Sequence, residues 1–270
     1  MENKVNGMLH SEHHYVGNTA KPALVFLHGL LGSGDDWQSS IEQLTDYSCL
    51  TIDLPGHGQS AHITCTGFDD CCDMISNTVS ALLAPSQPVV IIGYSMGGRI
   101  AMHGVANGLF SMLNVHGLIV EGSHLGLEST EQKLARAVND RGWANRFNNE
   151  PIEQVLIDWY QQGVFSSLNN EQKQIFQLKR NANLGPAIAQ MLLATSLAEQ
   201  EYLLTALKKQ PIRMHYLCGE NDYKFSQIAR ESGLAFNLVS GVGHNVHQES
   251  PHAFAQEIKN FAHAIKNFTK

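Results

Sequence analysis

An α/β fold, built on a mostly parallel sheet flanked by helices and carrying a helical insertion, is predicted by three observations. Short β-rich apolar runs recur without polar alternation, as in strands covered on both faces. Amphipathic stretches separate them, the alternation expected of a parallel sheet wound by right-handed crossovers. Gly93-Tyr94-Ser95-Met96-Gly97 stands between one such run and a helix-like segment, as a sharp strand-to-helix turn would.

In chain order, strands are predicted at 23–27, 49–52, 89–92, 115–120 and 214–217, with a last one near 235–239. Helices are predicted around 37–44, 68–83 and 98–106, and a closing helix over 251–268. The alternation fails once, between about Ser123 and Ala206, where helical periodicity continues with no strand-like run. There Ile152, Val155, Leu156, Trp159 and Tyr160 fall at i, i+3, i+4, i+7 and i+8, one apolar face that must pack on something. An insertion at the carboxyl edge of a sheet covers the site there, so residues 123–206 are expected to form a lid on a core made of 1–122 and 207–270.

With 270 residues the chain is long enough for one large domain with a substantial apolar core. A formal net charge of −7 and the lack of a Lys/Arg run argue against nucleic acid as a partner. The five cysteines, Cys49, Cys65, Cys71, Cys72 and Cys218, are odd in number and form no C-x-x-C pair, which suggests reduced thiols rather than a metal or redox site. No apolar run approaches the roughly 18 residues of a membrane span, and the N-terminal residues lack a signal-peptide pattern. A cytoplasmic monomer with no membrane partner is the expectation.

A serine hydroxyl is a poor nucleophile or base unless the backbone thrusts it clear of its neighbours. Glycines at 93, 97 and 98 supply the room for such a nucleophile elbow at Ser95. The serine needs a base, and a histidine needs a carboxylate to fix its tautomer. Among 14 histidines, His244 in Gly241-Val242-Gly243-His244-Asn245 follows the last predicted strand, in a glycine loop suited to presenting its ring. His247, three residues on, is the competitor. Asp222 is the favoured acid because Glu220 follows its strand too closely to curve back; Glu121 also competes. His28-Gly29-Leu30-Leu31-Gly32 follows the first buried strand, so the backbone N–H groups of Leu30 and Met96 are candidate oxyanion donors. Asp53-Leu54-Pro55-Gly56-His57-Gly58 reads as a bend set by Pro55 and the glycines.

Arg99 lies one helical turn after Ser95, where it can line a pocket floor. Arg136, Arg141, Arg146 and Arg180, four of the seven arginines, fall in the insertion of an acidic chain. Guanidinium forks bind carboxylates bidentately, so this concentration points to an anionic ligand, although any one exposed arginine is ordinarily a solvated residue. Trp143, Trp159 and Tyr160 suit either a pocket wall or a core.

The elbow, the His-Gly loop and the serine, acid, histidine chain order resemble the α/β-hydrolase superfamily over essentially the whole chain. More specific strings, at 53–58 and 93–99 and in Val120-Glu121-Gly122-Ser123-His124, Asp158-Trp159-Tyr160-Gln161-Gln162, Tyr216-Leu217-Cys218-Gly219-Glu220 and Gly243-His244-Asn245, are similar to those of the menaquinone-pathway SHCHC synthase (MenH) family. That resemblance implies an α/β-hydrolase fold and a lyase that eliminates pyruvate from an enolpyruvyl cyclohexene, without hydrolysis, metal or cofactor. It implies Ser95, Asp222 and His244 as the triad. Arg99, Arg136 and Arg180 would grip three substrate carboxylates, with Tyr94 and Trp159 beside them. Leu30 stands where such enzymes often carry an aromatic residue. The rival readings are an ester or thioester hydrolase working through an acyl-enzyme, a carbon–carbon bond hydrolase, and a non-catalytic receptor on the same scaffold.

Overall fold

Apolar runs without alternation become strands here because both faces of the sheet are covered. The computed structural model describes residues 7–15 and 21–265. Strands β1 (Ser11–His14), β2 (Ala23–Leu27), β3 (Cys49–Ile52), β4 (Pro88–Tyr94), β5 (Asn114–Glu121), β6 (Arg213–Gly219) and β7 (Phe236–Val239) form one sheet in the order β1-β3-β2-β4-β5-β6-β7. Every neighbouring pair is parallel except β1 against β3, where Ser11 faces Ile52. Successive residues of β2 serve opposite cores. Leu24 and Phe26 pack with Trp37, Ile41 and Phe254, whereas Val25 and Leu27 pack with Cys71, Ile75 and Ile100.

The helices are α1 (Gln38–Ile41), α2 (Phe68–Leu82), α3 (Met96–Ala106), α4 (Thr130–Asn149), α5 (Ile152–Trp159), α6 (Asn170–Arg180), α7 (Gly185–Ala194), α8 (Leu204–Leu207), α9 (Tyr223–Ser232), α10 (Val246–Glu249) and α11 (Pro251–Ala264). Predicted strands and helices match these within a few residues; α9 and α10 have no predicted counterpart, and there are three further differences. The sequence reading missed β1, because Ser11, Glu12, His13 and His14 form a polar edge strand with no apolar signal. The stretch predicted as a helix over 37–44 opens instead with a 3-10 turn, Gly34–Trp37. The closing helix stops at Ala264, and its expected end at 266–268 lies outside the described residues.

Between β5 and β6 the described chain holds α4 to α8 and no strand. The face expected on α5 is buried, with Val155, Leu156 and Tyr160 packed against Phe147, Phe165, Ile188 and Leu31. Leu31 comes from the loop after β2, so this apolar cluster ties the helical insertion to the carboxyl edge of the sheet. No helix among the described residues is long and apolar enough to cross a membrane.

Two buried histidines lock the loops at that edge. Leu54 N–H donates to His28 Nε2 at 2.9 Å, and Leu31 N–H donates to His57 Nε2 at 3.0 Å. Each ring must therefore carry its proton on Nδ1, which donates to Gly29 O from His28 (2.8 Å) and to Pro55 O from His57 (2.9 Å). The string at 53–58 is thus more than a bend. Its His57 fixes the backbone beside Leu30.

Burial lowers the pKa of His28 to about 4 and, helped by the neighbouring His28, that of His57 to about 3. Both lie below the ordinary value of 6.5, so the unfolded chain binds more protons on the acid side, and this stability is complete above pH 6.5 and lost as pH falls toward 4. Two such protons correspond to a slope of up to roughly 2 to 3 kcal/mol per pH unit. Urea unfolding midpoints are expected to drop steeply from pH 6.5 to 4.5, and His57→Gln to flatten the slope; identical pH profiles for wild type and variant would contradict this account.

Candidate active site

The carboxyl ends of β2, β4, β5 and β6 and the loop after β7 converge, as ligand sites in parallel sheets do. At the end of β4, Ser95 adopts φ 48 and ψ −108, a left-handed conformation that a side chain rarely tolerates. It is held there. Ser95 N–H donates to Glu121 O at 2.8 Å, and Ser123 Oγ donates to Ser95 O at 3.0 Å. The glycines are steric necessities: a Cβ at Gly97 would stand 2.2 Å from Leu27 O, and one at Gly98 would stand 1.9 Å from Ser123 Oγ.

Asp222 caps α9, accepting from Phe225 N–H, while its other oxygen accepts from His244 Nδ1 at 2.6 Å. Both side chains are buried, and His244, Asp222 and Ser95 line one cavity. No hydrogen bond joins Ser95 Oγ to His244 among the described residues, a looseness usual in ligand-free sites. The N–H groups of Leu30 and Met96 also have no partner among the described residues, which leaves both able to receive an oxyanion.

The two competitors from the sequence pair with each other. Glu121 accepts from His247 Nδ1 at 2.8 Å and from its backbone N–H at 3.1 Å, and both residues are sealed from solvent. Tyr94 separates the two histidine–carboxylate pairs, its ring centroid 5.2 Å from His244 and 4.7 Å from His247. Its hydroxyl bonds Asn245 Oδ1.

The cavity has two lobes, of about 470 and 100 Å³, which share Leu30, Ser95, Arg136, Trp159, Lys224 and Phe225 as lining. Arg99 and Met96 line the smaller lobe. Arg99 is buried, donates to Thr195 O at 2.6 Å, and has no carboxylate partner among the described residues. Desolvation, then Arg136, lowers its pKa to about 9, so it stays charged at neutral pH at a cost. Arg136 gives its Nε to Asp140 at 2.7 Å. His124, in the same lobe, is held to about 4 by burial and then by Lys224, Arg99 and Arg136, and is neutral.

Arg180 is elsewhere. It borders a separate small cavity behind Tyr94 and Trp159, with Nη2 on both oxygens of buried Asp36 at 2.7 Å. Burial disfavours its charge, but Asp36 and Tyr160 outweigh this and raise its pKa. Of the three arginines expected to grip substrate carboxylates, Arg99 and Arg136 thus line the cavity with Ser95, whereas Arg180 lies outside it on Asp36. Arg141 is exposed, and Arg146 is taken by Glu150 and Asp158.

Lys224 and Asp36 escaped the sequence reading. Lys224 lies two residues beyond Asp222 and carries no motif, while Asp36 meets its partner 144 residues away.

A sequence profile of the Alpha/beta hydrolase family matches residues 24–257. The chain is 47% identical over 240 residues to the 2-succinyl-6-hydroxy-2,4-cyclohexadiene-1-carboxylate synthase of Yersinia enterocolitica serotype O:8, covering 89% of this chain and 86% of that protein. It is 46% identical over 242 residues to the protein of the same name from Yersinia pestis strain Pestoides F, covering 90% and 88%. In three dimensions it is similar to MenH from S. aureus, with a TM-score of 0.87 and 28% identity over 96% of this chain and 100% of that one.

The two buried arginines should respond differently to mutation. Asp36→Ala leaves Arg180 buried without its counterion and is expected to cost about 3 to 5 kcal/mol in urea unfolding. Arg99→Met removes a buried charge that has no carboxylate, and is expected to be neutral or stabilising. Equal losses in both variants would refute the distinction.

Proposed function

Because the chain belongs to the Alpha/beta hydrolase family and, within it, to the 2-succinyl-6-hydroxy-2,4-cyclohexadiene-1-carboxylate synthases, we propose that it is a lyase of menaquinone biosynthesis. It eliminates pyruvate from 2-succinyl-5-enolpyruvyl-6-hydroxy-3-cyclohexene-1-carboxylate and releases 2-succinyl-6-hydroxy-2,4-cyclohexadiene-1-carboxylate. One observation carries this reading: the identity of 47% extends over 89% of the chain, so the alignment must take in much of the helical insertion as well as the core. The scaffold alone implies no particular chemistry.

The geometry supports a base mechanism. His244, oriented by Asp222, takes the Ser95 proton as the serine oxygen removes a ring proton next to the succinyl carbonyl. The electron pair moves onto the carbonyl oxygen, where the Leu30 and Met96 N–H groups hold it. Its return forms the ring double bond and breaks the bond to the enolpyruvyl oxygen. Ser95 then gives the ring proton to enolpyruvate, which becomes pyruvate, and His244 returns its proton to Ser95. No acyl-enzyme forms.

Tyr94 and Trp159 wall the cavity, Arg99 and Arg136 bind carboxylates of the small polyanionic substrate, and Arg180 shapes the wall through Asp36. The helical insertion acts as a lid over the site. The five buried free thiols suit the cytoplasm.

Pyruvate release from the enolpyruvyl substrate tests the reading. Wild type should release it stoichiometrically with product, and Ser95→Ala or His244→Ala should lower kcat by about 10³-fold or more. Rapid ester turnover with no pyruvate from the wild type would instead identify a hydrolase.

A further inference from the structure

We propose that Lys224 is a carboxylate-binding residue of the active site, completing with Arg99 and Arg136 the set of three cations around Ser95 that a tricarboxylate substrate requires. The proposal rests on the lyase reading above and adds a residue to it.

Three observations carry it. First, both cavity lobes that contain Ser95 also contain Lys224 and Arg136, whereas the small cavity lined by Arg180 contains neither Ser95 nor Lys224. Second, the charge of Arg180 is already matched by Asp36, but Lys224 has no carboxylate within ion-pair distance among the described residues. A carboxylate brought into a desolvated cavity needs a partner, and Lys224 can supply one with no existing ion pair to break.

Third, Lys224 sits in the first turn of α9, whose N-cap is Asp222. Backbone N–H groups make that end of a helix electropositive, so a lysine there works against helix stability and gains from an added anion. Arg136 faces it from α4, and the mutual repulsion contributes, after desolvation, to a lowered Lys224 pKa. Asp222 is the nearby acid that opposes this shift, but it is committed to His244. The phenyl ring of Phe225 lies 5.3 Å from the ammonium. Lys224 is exposed and lines the larger lobe, where an entering carboxylate can reach its ammonium.

The test compares wild type with Lys224→Met and Lys224→Arg by pyruvate release, and by calorimetric binding of tricarballylate, a flexible tricarboxylate that cannot react. Lys224→Met is expected to raise KM about tenfold or more, with kcat within about threefold, and to weaken tricarballylate binding about tenfold, in line with loss of one charged hydrogen bond. Lys224→Arg is expected to restore both. The site is exposed, so a cooperative thermal transition at or above the wild-type midpoint checks that the variants fold. Lys224→Met matching wild type in KM and in tricarballylate affinity overturns the proposal, as does a loss confined to kcat. A wild type that releases no pyruvate would count against the lyase reading, and the calorimetry would still decide the role of Lys224.

Discussion

The strained turn at Ser95 is the constraint to which the rest of the site is fitted. A left-handed serine costs of order 1 to 3 kcal/mol, and it persists only where surrounding structure over-determines it. Here Glu121 and Ser123 hold the backbone on one side, while the loop after β2 approaches the start of α3 so closely that Gly97 has no room for a Cβ. That close approach brings the Leu30 N–H to the same end of the sheet as the Met96 N–H. Two buried neutral histidines, His28 and His57, then fasten the loop that carries Leu30. The hydroxyl and both amides are thus placed by backbone packing, before any ligand arrives.

Similar groups do different work according to what they face. His244 with Asp222 and His247 with Glu121 are both histidine–carboxylate pairs with Nδ1 contacts below 3 Å. Only the first lines the cavity with Ser95. The second is sealed behind Tyr94 and also binds Glu121 through the His247 backbone, so it fastens the loop after β7 to the end of β5. Arg180 and Arg99 show the same division. Each is almost fully buried, but one has a bidentate carboxylate and the other has a backbone carbonyl.

How much of this the sequence reveals depends on the range of the interaction. The buried strands are legible because cover on both faces leaves an unbroken apolar run, and β1 is not, because a polar edge strand has no such run. The elbow is legible from the glycines at 93, 97 and 98, since steric exclusion acts on near neighbours in the chain. His244 and Asp222 stand out by their places after strands. The pairing of Glu121 with His247 spans 126 residues and that of Arg180 with Asp36 spans 144, so which histidine and which arginine are already occupied emerges only when the chain closes on itself. Lys224 is an ordinary residue in its local pattern, and its position beside Ser95 depends on α9, α4 and β4 meeting.

Leaving cations unmatched is costly to the fold and useful to the site. Had Arg99 been given a carboxylate, as Arg180 was, a substrate carboxylate would have to displace it, and the exchange of one pair for another would yield little net binding. Thr195 O satisfies one N–H of Arg99 without cancelling its charge, so the full attraction remains for an incoming anion. Arg136 is intermediate: Asp140 takes its Nε and is itself held by Ser196 Oγ at 2.7 Å, which fixes the guanidinium plane while the terminal nitrogens stay available. Ligand binding to such a site must also stabilise the protein, because the anion relieves repulsion among cations that the empty cavity holds together.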